Sequence, residues 1–170
     1  TLNVWSPVKR DKALPVMIFF PGGAYHGGGS QGANEIEPSY DGGKLAARGI
    51  IVVTANYRLG MFGFLAHPEL SAESPHHVSG NYALLDQIAA LGWVKANIGK
   101  FGGDPANVTI SGQSAGSYSV GFLMTSPLAK GLFAKAIGFS GTVADFRLGA
   151  SELKDAENGG DEPAADLPEE

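Results

Sequence analysis

A five-residue segment in the middle of the chain, with glycine at both ends and serine at its centre, constrains the fold more than any other feature. The segment consists of Gly112, Gln113, Ser114, Ala115 and Gly116, and a β-branched run at 108–110 comes just before it. This order predicts a strand, a very sharp turn and a helix, because glycine removes side chains that would collide with neighbouring backbone at such a turn. Ser114 is then held in a strained conformation with its hydroxyl exposed above a sheet. The alternative is an ordinary serine at a helix N-terminus.

Strand-like and helix-like segments alternate along the first 140 residues. Apolar runs of strand length lie at 16–20, 50–54, 108–110 and 136–139, and residues 1–5 also have the pattern of a strand. Helical patterns lie at 44–48, at 82–98, and from Ser114 to the Ser-Pro pair at 126–127. Repeated strand–helix–strand units predict an α/β fold, with a mostly parallel sheet and helices on both of its faces.

The longest helical pattern predicts one buried face. Its apolar residues recur at steps of three and four and are Leu84, Leu85, Ile88, Leu91 and Val94. Asn81 precedes the pattern and is predicted to cap the helix. Gly49 follows the short pattern at 44–48 and is predicted to end it.

The negative charge is concentrated at the end of the chain. Residues 151–170 hold eight acidic residues and one lysine, a net charge of −7, so the first 150 residues carry +2. We therefore expect residues 1–150 to form the folded core and residues 151–170 to be an acidic tail, helical or frayed. Neither part has a basic stripe for nucleic acid. No apolar run reaches 18 residues, so no membrane span is expected.

Three further segments accompany the glycine–serine turn. They are Phe-Gly-Gly-Asp-Pro-Ala-Asn-Val-Thr at 101–109, Pro-Gly-Gly-Ala-Tyr at 21–25 after a strand, and Asn-Tyr-Arg-Leu-Gly at 56–60 after the next strand. With these motifs in this order, residues 1–141 resemble the type-B carboxylesterase family, which includes bacterial p-nitrobenzyl esterases, cholinesterases and non-catalytic adhesion proteins. The resemblance implies an α/β-hydrolase fold. Full-length members are much longer, so we expect an N-terminal-to-middle fragment and an incomplete core.

The resemblance also implies a set of site residues. Ser114 is the implied catalytic nucleophile, and the implied oxyanion-hole donors are the backbone amides of Gly23, Ala24 and Ala115. The residues implied to support them are Gly22, Gly112, Gln113 and Gly116. Pro21 departs from the family, where many members have histidine or an aromatic residue. No metal or organic cofactor is implied.

The base that a serine nucleophile needs is missing from this pattern. In α/β-hydrolases the acid and then the histidine follow the serine along the chain. The four histidines are His26, His67, His76 and His77, and all precede Ser114. The triad acid and base are therefore expected beyond residue 170. His26 adjoins the oxyanion loop but lacks an evident orienting partner, and the other three are predicted to lie in surface loops. Arg58 and Asp86 are predicted to be structural, and Ser140 to support the serine.

Three functions remain open at this point. The first is a carboxylic ester hydrolase that forms an acyl-enzyme on Ser114 and takes a small uncharged ester with an apolar part. The neutral Gln113 argues against a cationic substrate, because no carboxylate adjoins the serine. The second is an adhesion or binding protein on the same fold, against which the retained serine and glycines count. The third is an inactive fragment. The sequence leaves the oligomeric state and the compartment open.

Overall fold

Five strands form one sheet in the computed structural model, which describes residues 1–8, 11–30, 40–141 and 152–160. The strands are β1 (Leu2–Trp5), β2 (Leu14–Phe20), β3 (Ile51–Ala55), β4 (Gly103–Gln113) and β5 (Lys135–Phe139). Their order across the sheet is β1-β3-β2-β4-β5. Only β1 runs antiparallel to its neighbour, and the other three pairings are parallel. The predicted α/β fold with a mostly parallel sheet is confirmed.

Helices connect the strands from β2 onward, as parallel pairing requires, and one further helix follows β5. They are α1 (Gly43–Ala46), α2 (Gly60–Phe64), α3 (Pro68–Glu73), α4 (Tyr82–Asn97), α5 (Ala115–Thr125) and α6 (Leu153–Gly160), with 3-10 turns at Ile98–Phe101 and Pro127–Ala129. The bounds of α4 and α5 agree with the sequence pattern to within a residue. The short helices α2 and α3 were not predicted.

The core lies between one face of the sheet and the two longer helices. Alternate residues of β2, Val16, Ile18 and Phe20, are buried there against Leu91 of α4 and Val120 of α5. Burying a side chain of this size stabilises the fold by about 1.5–3 kcal/mol. On the opposite face α1 approaches β3, since a methyl group placed on Gly42 would lie 2.6 Å from the side chain of Val52.

The buried face of α4 differs from the prediction at its N-terminal half. Leu85 is 45% exposed, so its assignment to the buried face is wrong. The fully buried positions are Ala83, Gln87, Leu91 and Val94. Asn81 occupies the predicted N-cap position, but its backbone is left-handed with φ 54° and its side chain makes no capping hydrogen bond.

Two further loop predictions agree with the structure. His67 lies in the short connection between α2 and α3, where it is the N-cap of α3, and its imidazole Nδ1 accepts a hydrogen bond of 3.2 Å from the amide of Glu69. Gly49 has the left-handed backbone expected after α1, with φ 88°.

The acidic tail is described only in part. Helix α6 lies within it, and the carboxylate of Glu157 accepts a hydrogen bond from Ser71 of α3. Residues 161–170 of the tail and residues 31–39 of the glycine-rich loop lie outside the described residues. The division at residue 150 stays a prediction. No helix in the described ranges is long and apolar enough to cross a membrane.

Candidate active site

Ser114 lies at the turn between β4 and α5. Its backbone angles are φ 52° and ψ −122°, a conformation that L-residues rarely adopt and that costs of order 1–3 kcal/mol. Two elements hold it there. The Ser114 amide donates a hydrogen bond of 2.9 Å to the carbonyl of Phe139 in β5, and its carbonyl accepts one of 2.8 Å from the amide of Ser117 in α5. The predicted strained turn at this serine is therefore present.

The glycines beside Ser114 allow the helix to start directly against the sheet. A methyl group on Gly116 would lie 2.0 Å from the carbonyl oxygen of Phe20 in β2, and one on Gly112 would lie 2.2 Å from the carbonyl oxygen of Gly116. Neither distance is compatible with a side chain, so α5 can approach β2 this closely only without them.

The glycine-rich loop after β2 lies beside the same turn. Phe20 is the parallel partner of Gly112, so the loop and the turn leave the sheet at the same edge. A methyl group on Gly22 would lie 2.7 Å from the carbonyl oxygen of Gln113 and 3.1 Å from Cβ of Ser114. The two motifs are thus in contact, although about 90 residues separate them in the chain.

The loop then turns back in an uncommon backbone conformation. Gly23, Ala24 and Tyr25 all have positive φ, of 112°, 52° and 64°. The Gly23 carbonyl accepts hydrogen bonds from the amides of His26 and Gly27, at 2.9 and 3.1 Å. Among the described residues, no acceptor is found for the amides of Gly23 and Ala24. The amide of Ala115 belongs to the first turn of α5, where helical amides lack an intrahelical partner.

Two tyrosines anchor this loop. The hydroxyl of Tyr57 donates to the carbonyl of Pro21 at 2.5 Å, and that of Tyr25 donates to the carbonyl of Ala115 at 2.8 Å. Burial raises the pKa of both phenols above the ordinary value, so they stay protonated donors throughout the neutral range. Tyr57 belongs to the segment at 56–60 that accompanies the glycine–serine turn, but the sequence does not show that its hydroxyl meets the loop, because its partner is 36 residues away.

An open cleft of about 1010 Å³ lies in front of Ser114. Ala24, Tyr25, His26 and Ala115 line it together with Ser114, and the remaining described lining is mostly apolar: Gly60, Met61, Phe64, Leu65, Asn81, Leu84, Tyr118 and Phe122. None of these described lining residues is Asp, Glu, Lys or Arg. Gly23 does not line the cleft. The α2 residues in the lining were missed from the sequence, because two glycines in five residues hide a helical signal.

The other predicted residues lie outside the cleft, except His26. His26 is exposed at the cleft, and its side chain makes no hydrogen bond to Ser114 within the described residues. His76 and His77 lie exposed after α3, and no cluster of three metal-ligating residues occurs in the described part. Ser140 is exposed, with φ 51°.

Arg58 and Asp86 form a bidentate ion pair with two contacts of 2.8 Å. The Asp86 carboxylate also accepts a hydrogen bond from the Arg58 amide, which fixes the segment at 56–60 to α4. The hydrogen bond from Arg58 holds the pKa of Asp86 below its ordinary value. Both residues act structurally in this arrangement.

Comparison with known proteins assigns the chain to a family. The sequence profile of the carboxylesterase family matches residues 1–158. The chain belongs to the carboxylesterase family. It is 54% identical to the fumonisin B1 esterase of Sphingopyxis macrogoltabida over 137 residues, and 54% identical to the para-nitrobenzyl esterase of Bacillus subtilis (strain 168) over 142 residues. A solved PNB esterase superposes with a TM-score of 0.70 at 51% identity and covers 83% of the chain.

The carboxylesterase chain spans about a quarter of the length of these relatives. The aligned region covers 80% and 82% of the chain but only 24% and 27% of the two curated relatives, and 29% of the solved structure. The resemblance to the type-B family and to the α/β-hydrolase fold that the motifs indicated is therefore confirmed for this part.

Proposed function

We propose that the protein carrying this chain hydrolyses carboxylic esters through an acyl-enzyme on Ser114. The observation that carries the proposal is the position of Ser114, at a strained turn facing the cleft, with the helix N-terminus of α5 and the loop after β2 on either side. The relatives named above are esterases by name, which supports the same class of reaction.

In the proposed reaction the Ser114 Oγ attacks the ester carbonyl carbon, and the proton of Oγ passes to a base. The carbonyl oxygen becomes an oxyanion that the amides of Gly23, Ala24 and Ala115 stabilise. Collapse of this intermediate breaks the bond to the alcohol and leaves the acyl group on Ser114. Water then releases the acid and restores the serine. Gly22, Gly112 and Gly116 give the loop and turn their close approach, and Gln113 carries no charge beside the serine.

The lining of the cleft supports the proposed substrate class. The described lining offers apolar side chains and no charged one, so a small uncharged ester with an apolar acyl or alcohol part is expected to bind. No metal or organic cofactor is proposed, because the acyl-enzyme route needs only a nucleophile, a base and oxyanion donors.

The test is hydrolysis of p-nitrophenyl acetate and butyrate by the whole protein that carries this chain. Ser114→Ala should lower kcat on the order of 10⁶-fold, as loss of a serine nucleophile does. A fluorophosphonate should label Ser114, read by mass spectrometry. Ser126→Ala at the other end of α5 is the matched control and should keep wild-type kcat. Near-wild-type activity in Ser114→Ala would contradict the nucleophile assignment. Absence of both hydrolysis and labelling in the wild type would favour the adhesion alternative.

We also propose that residues 1–170 alone are inactive. His26 is the one histidine of the four at the cleft, and no hydrogen bond joins it to Ser114 in the described part of the chain. Without a base the hydroxyl is a weak nucleophile. Where circular dichroism confirms that the isolated chain is folded, it should hydrolyse p-nitrophenyl acetate barely above buffer. Fluorophosphonate-sensitive turnover at the rate of the whole protein, lost in His26→Ala, would contradict this and assign the base to His26.

A further inference from the structure

The hydroxyl of Tyr25 connects the loop after β2 to helix α5 through a chain of side-chain hydrogen bonds. It lies 2.8 Å from the carbonyl oxygen of Ala115 and 3.0 Å from Oγ of Ser119. Nε2 of Gln87 in α4 donates to the same Oγ at 3.0 Å. Ser119 and Gln87 are both 0% exposed, so water does not compete for these bonds.

The protons of this chain can be ordered in only one way. A phenol has a single proton, and Tyr25 uses it for the Ala115 carbonyl, which can only accept. Ser119 must therefore donate its own proton to the Tyr25 oxygen. Its lone pair accepts the Gln87 amide proton. The three hydrogen bonds therefore run in series from Gln87 in α4 to Ser119 in α5, then to Tyr25 in the loop, and finally to Ala115 in the first turn of α5. This series of hydrogen bonds holds Tyr25 in one place.

The residue held in this way adjoins Ala24 in an uncommon backbone conformation. Ala24 and Tyr25 both have positive φ, which non-glycine residues keep only when their surroundings hold them there. The ring of Tyr25 also packs edge-on against Phe64, with centroids 4.8 Å apart. Ring packing restrains the side chain, whereas the hydroxyl is the group that fixes its distance to Ala115.

We propose that the Tyr25 hydroxyl is a positioning group that sets the distance between the oxyanion amide of Ala24 and that of Ala115, with Ser119 and Gln87 fixing its direction. This rests on the proposed function. Tyr25 moves no proton and forms no bond to substrate in this role. It makes two segments of the oxyanion site, 90 residues apart in the chain, into one rigid unit.

The decisive variant is Tyr25→Phe in the whole protein, because it keeps the ring and removes only the hydroxyl. We expect kcat for p-nitrophenyl butyrate to fall about ten- to a hundredfold, less than for a lost donor, with KM changed less than about twofold. Binding of a trifluoromethyl ketone, which adds to the serine and carries an oxyanion, should weaken by the same factor as kcat/KM. Binding of the product alcohol should not change.

Two further variants separate positioning from general stability. Tyr82→Phe removes a phenol hydroxyl for which the described residues provide no hydrogen-bond partner, and it should behave as wild type. Ser119→Ala should lower kcat in the same direction as Tyr25→Phe. The double variant should be no worse than Tyr25→Phe alone, since both act through one chain. If Tyr25→Phe does not fold, Ser119→Ala decides by the same kinetic readouts.

A second readout does not depend on activity. Amide hydrogen exchange of the peptide covering residues 22–27 should be about tenfold faster in Tyr25→Phe than in Tyr82→Phe, because the loop has lost its anchor. Wild-type exchange together with wild-type kcat in Tyr25→Phe would overturn the proposal. If the wild-type protein neither hydrolyses esters nor reacts with fluorophosphonate, the proposed function fails, and unchanged exchange would then overturn the anchoring role separately.

Discussion

Two helical glycines provide a direct test of how closely α5 approaches the sheet. Gly116 lies in the first turn of α5, and a methyl group there would lie 2.0 Å from the Phe20 carbonyl oxygen and 3.0 Å from that of Pro21. Gly92 lies in the middle of α4, and a methyl group there would have no described atom within 4 Å apart from its chain neighbours and the adjoining backbone of α4 itself. The same substitution, glycine to alanine, therefore meets opposite surroundings at the two positions.

The expected free energies follow from these distances. In both helices alanine restricts the unfolded chain more than glycine does, a gain of about 0.5–1 kcal/mol that Gly92→Ala should show in full. At Gly116 the same gain is opposed by an overlap with backbone that cannot rotate away. Overpacking of this kind costs about 1–3 kcal/mol, and sometimes more. Because the gain is common to both variants, the difference between their free energies of unfolding isolates the overlap, about 1–3 kcal/mol in favour of Gly92→Ala.

The assay is urea unfolding of both variants and of the wild-type protein, monitored by circular dichroism. The three curves are fitted with one common slope of unfolding free energy against urea concentration. The displaced turn should also lower esterase kcat of the whole protein about a hundredfold in Gly116→Ala, since a shift near 1 Å at the nucleophile has effects of that size. Gly92→Ala should leave kcat unchanged. If Gly116→Ala gained stability as Gly92→Ala does and kept its activity, the close contact between α5 and β2 would be refuted.

Three further predictions concern stability. Arg58 lowers the pKa of Asp86, so the ion pair stabilises the fold above the ordinary pKa of Asp, and this stabilisation is lost as the pH falls. Asp86→Asn should therefore flatten the acid side of the profile of unfolding free energy against pH, by no more than about 1 kcal/mol because Arg58 is half-exposed. An unchanged profile in Asp86→Asn would contradict this prediction. Burial raises the pKa of Tyr57, so the stabilisation that the neutral phenol gives the fold is complete below pH about 10 and is lost as the pH rises further. Tyr57→Phe should therefore remove part of the decline in Tm at alkaline pH. An identical decline in the variant would argue against the burial of Tyr57. Leu91→Ala should lower the free energy of unfolding in urea by about 2–5 kcal/mol, and Leu85→Ala by under about 1 kcal/mol. Equal losses in the two variants would show that Leu85 is buried as deeply as Leu91.

The order of strands and longer helices could be predicted because each has a local signal. Strand β4 is longer than its apolar run at 108–110, since it begins at Gly103 and includes a proline and an asparagine that no strand pattern marks. Gly103 lies opposite Leu14 of β2, and the register then shifts so that Val108 lies opposite Val16; the proline and the asparagine fall within this irregularity, and the neighbouring strand draws Gly103 into the sheet. Pairing imposed by a neighbour cannot be read from the segment itself.

The buried face of α4 shows a second limit of the sequence pattern. Gln87 is fully buried and Leu85 is not, the reverse of what hydropathy indicates. Gln87 is held there by its side-chain Nε2, which donates to Ser119, 32 residues further along the chain, while its Oε1 has no hydrogen-bond partner among the described residues. A pattern of apolar residues along one helix carries no information about a polar partner on another helix. The predicted buried face of α4 therefore includes Leu85 instead of Gln87.

The sheet register explains why the motifs could predict that the loop after β2 meets the turn at Ser114, while the groups that support this contact could not be predicted. Phe20 pairs with Gly112 and Gln113 pairs with Phe139, so strands β2, β4 and β5 end side by side at one edge. Whatever follows β2 and β4 must therefore meet, and Gly22 and Ser114 do. The order of the strands in the sheet determines this contact, so short motifs that directly follow strands are enough to predict it. The fine distance between the two segments is not topological. It depends on hydroxyl groups such as that of Tyr25, whose partners become visible only when the helices are in place.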